Sequence, residues 1–83
     1  MNGLLDGKRI VVTGAARGLG YSFAAAIAAA GAQVVMCDIL ADELAASGAA
    51  LREQGARVET QTIDLASPDS IRLAFEKIAA GGG

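Results

Sequence analysis

The β-branched run from Arg9 to Thr13 leads directly into the octet TGAARGLG, Thr13 to Gly20, which opens the alanine-rich stretch YSFAAAIAAAGA. Glycine weakens strands and helices alike, so three glycines in these eight residues serve a turn and do not extend either neighbour. A run that is apolar throughout suits a strand covered on both faces of a parallel sheet. After the glycines, Leu19, Phe23, Ile27 and Ala30 recur at helical spacing, and Gly31 stands where a helix C-terminus accepts positive φ. The spacing predicts a first helix over about Leu19 to Ala30, with Leu19 and Phe23 on its apolar face.

The same alternation returns twice. AQVVMCDI repeats the buried-strand pattern from Gln33 to Cys37 and ends in an acid. ADELAASGAALREQGA then reads as helix, with Leu44 and Leu51 on one stripe, Gly55 as its stop and Gly48 as an internal cost. RVETQTID is a third candidate strand, more polar and so nearer an edge. SPDSIRLAFEKIAA opens with Ser67 as N-cap and Pro68 at the first helical position, and Ile71, Phe75 and Ile78 give it an apolar face. The order β-α-β-α-β-α, with helix-length segments between strands, implies an α/β fold with right-handed parallel crossovers. The closing glycines, residues 81 to 83, are expected to be a flexible end or a turn before a further strand.

At 83 residues there is room for one small domain, residues 1–83, burying roughly 60% of the surface its unfolded chain exposes. A net charge of -2 leaves no basic face for a phosphate backbone, which sets nucleic acid aside. The single Cys37 forms no internal disulfide, fits a reducing cytoplasm, and reads as a small apolar filler in its strand. Without histidine, the usual His/Cys zinc site is excluded. The start MNGLLDGKRI lacks the order of a signal peptide, and the apolar stretch from Phe23 to Ala32 is too short to cross a membrane, so a soluble chain is expected. Arg52, Glu53 and Lys77 read as solvated helix faces.

Between a strand and a helix, the glycine loop presents unpaired N–H groups and the positive end of the helix dipole, a site for a phosphate. Gly14 would permit the tight turn, Gly18 a close approach of backbone to phosphate, and Gly20 close packing of helix on strand. The alternative is a tight turn that holds nothing. The spacing Gly-x-x-x-Gly-x-Gly fits neither the G-x-G-x-x-G fingerprint nor a P-loop, so spacing alone does not name the ligand.

TGAARGLG resembles the Thr-Gly-x-x-x-Gly-x-Gly cofactor loop of the short-chain dehydrogenase/reductase family, and GKRIVVTG, VVMCDI and TIDLASPDS follow the order of that family's first half. The resemblance implies a Rossmann-type, doubly wound parallel sheet, of which this chain is the N-terminal portion, binding the ADP half of a nicotinamide cofactor. It assigns Gly14, Arg17, Gly18, Leu19 and Gly20 to the pyrophosphate and its flanking ribose, with Thr13 bracing the loop. Asp38, at the end of the second strand, would accept hydrogen bonds from the adenosine ribose hydroxyls; its alternative is a helix N-terminal carboxylate. Ile39 would lie against the adenine. Asp64 and Leu65 match a short acidic motif at the adenine ring, although on spacing alone Asp64 reads equally as a capping or turn aspartate.

The family's catalytic tyrosine, four residues before a lysine, has no match: the one tyrosine is Tyr21, and the fourth residue after it is Ala25. Nor is there an Asn-Asn-Ala-Gly motif. The resemblance therefore implies the cofactor-binding half of an enzyme that moves a hydride between a nicotinamide cofactor and a small alcohol or carbonyl substrate, inactive alone. The alternatives are a stand-alone nucleotide-binding module and an excised or designed Rossmann fragment. Asp38 favours NAD over NADP, against an opposing pull from Arg17. In the implied strand order the first strand is central, so alone it forms an unpaired apolar edge, and association into a homo-oligomer is expected.

Overall fold

The computed structural model describes residues 4–82. Six elements alternate as expected: β1 (Arg9–Thr13), α1 (Gly18–Ala29), β2 (Gln33–Asp38), α2 (Ala41–Glu53), β3 (Val58–Thr62) and α3 (Pro68–Gly82). The strands form one parallel sheet in the order β1-β2-β3, with Arg9 opposite Gln33 and Val34 opposite Val58. The polar third strand lies at an edge, and β1 has one edge without a partner among the described residues. No helix among those residues is long and apolar enough to cross a membrane, and no group of acids and thiols is placed to hold a metal ion.

Side chains alternate across the sheet. Val12, Val34, Met36 and Val58 face α1 and α2, where Ala24, Leu44 and Leu51 complete a buried cluster. Val35 and Cys37 face α3, where Ile63, Ala74 and Ile78 complete a second. Burial raises the Cys37 thiol above its ordinary range. The Ser67 hydroxyl accepts the Ser70 N–H at 3.2 Å, so Ser67 is the N-cap of α3 and Pro68 its first residue.

Two helix faces and one helix end differ from the sequence pattern. In α1 the buried residue is Ala24, flanked by partly buried Tyr21, Ile27 and Ala28, while Leu19 is 86% exposed and Phe23 60%. The cause is Gly20: a Cβ there would stand 2.0 Å from the Gly14 carbonyl oxygen, so α1 meets the sheet through its smallest residues and turns Leu19 and Phe23 to the flank. In α3, Ala74 and Ile78 carry the contact with Ile71, and Phe75 is turned toward solvent. The same helix continues through Gly81 to Gly82 instead of ending before the glycines, and Gly83 lies outside the described residues.

Gly48 is buried in α2, and a Cβ there would lie 2.6 Å from Thr60 Cγ2. The helix thus gives up propensity for a close seat on β3. Gly48→Ala is expected to lose about 1–2 kcal/mol, because overpacking costs about 1–3 kcal/mol and alanine's better propensity returns part of it. In thermal unfolding, Gly48→Ala combined with Thr60→Ser should melt above Gly48→Ala alone; equal melting of the two would show that the Thr60 methyl is not the obstacle.

Candidate functional site

The C-terminal ends of the three strands and the start of α1 converge on the glycine loop. Gly14 and Gly18 adopt φ of 67° and 63°, a left-handed conformation open to glycine at little cost. Between them the Ala15 N–H donates to the Cys37 carbonyl at 3.1 Å, tying the loop to the end of β2. Arg17, the residue before α1, has extended backbone and provides no side-chain cap. The first bond into the helix runs from the Tyr21 N–H to the Arg17 carbonyl. Among the described residues, no protein group accepts from the N–H of Arg17, Gly18, Leu19 or Gly20. These four donors stand together at the positive end of the helix dipole.

Asp38 ends β2 beside this loop. Its Oδ2 accepts from the Ala16 N–H at 3.0 Å and its Oδ1 from the Leu40 N–H at 3.1 Å. Burial acts to raise its pKa, but the N–H groups of Ala16, Leu40 and Ile39, with the Arg17 cation nearby, outweigh it and hold the carboxyl below its ordinary value of 3.8. The carboxylate therefore fastens the loop to the entrance of α2. Each of its oxygens keeps a further lone pair for an external donor.

Asp38 also lines an open cleft of about 250 Å³ together with Gly14, Ile39, Ile63, Asp64 and Leu65. Ile39 and Leu65 are 58% and 59% exposed, giving this cleft apolar lips. Asp64 is held in a turn: its Oδ1 accepts the Ala66 N–H at 2.9 Å, and its own N–H donates to Ser70 Oγ at 2.9 Å. The turn role left open by its spacing is therefore present, on the wall of the same cleft.

The other expected site residues fall on two neighbouring surfaces. Thr13, Leu19 and Gly20 line a groove of about 500 Å³ with Val12 and Phe23, and Gly14 is the wall this groove shares with the cleft. Arg17 and Gly18 lie on the α2 side, in a recess with Tyr21 and Ser47. The Arg17 side chain is mostly exposed, with Nε 3.8 Å from Glu43 Oε2. The Thr13 side chain makes no hydrogen bond among the described residues. The side chains that grip the loop are Asp38 and Ser47, whose hydroxyl donates to the Ala16 carbonyl. Ser47 had only one signal in the sequence, a hydroxyl in an alanine-rich helix next to the helix's one glycine.

The family model described as short chain dehydrogenase matches residues 8–83. The chain is 40% identical over 79 residues to a short chain dehydrogenase/reductase, dpchG, of Colletotrichum higginsianum, an alignment covering 95% of this chain and 30% of that protein. It superposes on a short chain dehydrogenase/reductase of Burkholderia phymatum in complex with NAD with a TM-score of 0.83 and 31% identity, covering 89% of this chain and 26% of the other. With L-sorbose reductase of Gluconobacter frateurii, complexed with NADPH and L-sorbose, the TM-score is 0.90 and the identity 30%, covering 100% of this chain and 32% of the other. The chain spans only 26% to 32% of the length of these relatives. A Rossmann-like parallel sheet, a glycine loop with free N–H donors, and a family match over nearly all of its residues place this chain in the short chain dehydrogenase family.

Proposed function

We propose that these residues form the dinucleotide-binding half of an oxidoreductase that moves a hydride between a nicotinamide cofactor, NAD in preference to NADP, and a small alcohol or carbonyl substrate. The observation that carries it is the row of four unpartnered N–H groups, Arg17 to Gly20, beside a cleft that ends on an ionised carboxylate. An anionic pyrophosphate suits the first and a hydroxylated ribose the second. Gly14, Arg17, Gly18, Leu19 and Gly20 would hold the pyrophosphate and its ribose through backbone, and Thr13 stands at the groove wall behind them. Asp38 would accept the adenosine ribose hydroxyls. Ile39, Leu65 and the Asp64 turn would enclose the adenine. The nicotinamide ring, when bound, supplies the hydride chemistry.

Acid–base work on the substrate falls to residues that this chain does not contain. Its one tyrosine, Tyr21, is half-buried in α1 with Ala25 four residues on, so the chain alone is inactive in this proposal. The unpaired edge of β1 beside exposed Leu19 and Phe23 favours self-association, which supports a homo-oligomer. The lone buried thiol suits a reducing cytoplasm.

Asp38 decides the cofactor. A 2'-phosphate at the ribose would face a carboxylate that four neighbouring groups keep ionised, and it would forfeit the hydroxyl donors that the free lone pairs accept. Arg17 is the opposing charge, but it is exposed and leans toward Glu43. NAD is expected to bind about tenfold or more tightly than NADP, a difference of about 1.4 kcal/mol. Titration of both dinucleotides into the chain before and after Asp38→Ala checks this: the substitution should erase the gap, and equal binding of NADP by the unchanged chain would refute the preference. Failure to bind either one would refute the dinucleotide site itself.

The same carboxylate sets an acid limit. Its folded pKa lies below 3.8, so its contribution to stability is fully present above that value and is lost as pH falls through the folded pKa. Asp38→Asn should be less stable than the unchanged chain by a constant margin from about pH 5 upward, and the two denaturation curves should converge in stronger acid. A margin that stays constant down to pH 2 would show that the charge of Asp38 does not hold the loop.

A further inference from the structure

Two consecutive peptide planes of the glycine loop are fixed by side chains from outside it. The Ala16 N–H donates to Asp38 Oδ2 at 3.0 Å, and the Ala16 carbonyl accepts from Ser47 Oγ. Ser47 stands on α2 immediately before Gly48, the residue whose missing Cβ lets that helix seat on Thr60 of β3. The close seat of α2 thus carries the Ser47 hydroxyl within reach of the loop.

The bond to the Ala16 carbonyl has two consequences. In a trans peptide the carbonyl and the following N–H point in opposite directions. Holding the Ala16 carbonyl toward α2 therefore turns the Arg17 N–H away from α2, toward the open side of the loop. Second, the Ala16 oxygen is the acceptor that the Gly20 N–H would take if α1 wound back by one more residue, since helical bonds run from residue i to residue i−4. With that oxygen engaged by Ser47 and Arg17 in extended backbone, α1 starts at Gly18 and the Gly20 N–H stays free.

We infer that Ser47 is a positioning residue for the dinucleotide loop, holding the Ala16 carbonyl out of α1 so that the Arg17 N–H faces the open side of the loop and the Gly20 N–H remains available to an anion. The inference rests on the proposed dinucleotide site for its purpose, while the geometry it describes is testable without any ligand.

The test compares the whole chain with Ser47→Ala and Ser47→Thr, reading backbone amide exchange of residues 15–20 without ligand and NAD affinity by titration. Alanine is the better helix former, so Ser47→Ala should melt at or near the unchanged temperature. Its Gly20 amide, now able to bond to the released Ala16 carbonyl, should nevertheless exchange about tenfold more slowly and its NAD affinity should fall about tenfold, with threonine, which keeps the hydroxyl, restoring both. Unchanged exchange in Ser47→Ala would overturn the inference, as would losses that follow the melting temperature and are not restored by threonine. If the unchanged chain binds no NAD, the proposed function fails, and the exchange of Gly20 still decides the role of Ser47.

Discussion

The structure depends on a contact of backbone against backbone. At the start of α1, Gly20 lies so near Gly14 that a Cβ would sit 2.0 Å from the carbonyl oxygen, well inside van der Waals contact. No rotamer change relieves such a clash, since both partners are main chain. This approach sets the height of α1 above the sheet, and that height explains the alanine-rich composition: only Ala24 is fully buried from α1. It also brings the unbonded N–H groups of the first turn to the mouth of the loop. The small residues that make the core thin are the same ones that let the helix end deliver its donors.

Seating α2 follows the same principle on the other side of the loop, with Gly48 against Thr60. The two helices meet the loop from opposite ends, α1 through its N–H groups and α2 through Ser47 and the Leu40 N–H held by Asp38. Asp38 is shared among these parts: it belongs to β2, bonds to the loop and to the start of α2, and faces the cleft. A residue so placed couples the shape of the glycine loop to that of the cleft, because moving its carboxylate would release the Ala16 N–H.

Periodicity made the order of elements legible, because every strand is a run of residues with Gly31, Gly55 or the glycine octet beside it. The helix faces were less legible. Leu19 and Phe23 stand at helical spacing, yet they are exposed, because hydrophobic spacing locates a face by bulk and this helix is docked by its glycine. Phe75 misled in the same way: Ala74 is the smaller residue and takes the buried position. Gly48 read as a propensity cost because the partner that justifies it, Thr60, is remote in sequence. Ser47 was barely legible for the same reason, since its acceptor is a carbonyl of the loop, remote in sequence from α2. Asp38, Ile39, Asp64 and Leu65 were grouped by the family resemblance, and they line one cleft because parallel strands bring their C-terminal ends to one edge.

The two ends of the sheet differ in how their polar groups are paired. At the N-terminal ends of the strands, Arg9 spans β2 to reach Glu59 Oε2 at 2.9 Å and the Ile78 carbonyl at 2.8 Å, and Gln33 donates to the other Glu59 oxygen at 2.7 Å. These side chains pair with one another, and the Arg9 side chain is only 20% exposed, so this end is closed by its own charges. Removing one partner would strand the other's charge, which is costly at a partly buried site. At the opposite end the strands run into Gly14, Asp38 and Asp64, and the donors there are backbone N–H groups of Arg17 to Gly20 that no protein acceptor reaches among the described residues. Apart from the Arg9 Nε, which is buried without a partner, the polar groups of this end are paired within the fold and recruit nothing. Groups left unsatisfied where α1 begins must find water or a ligand, and the helix dipole makes that ligand an anion.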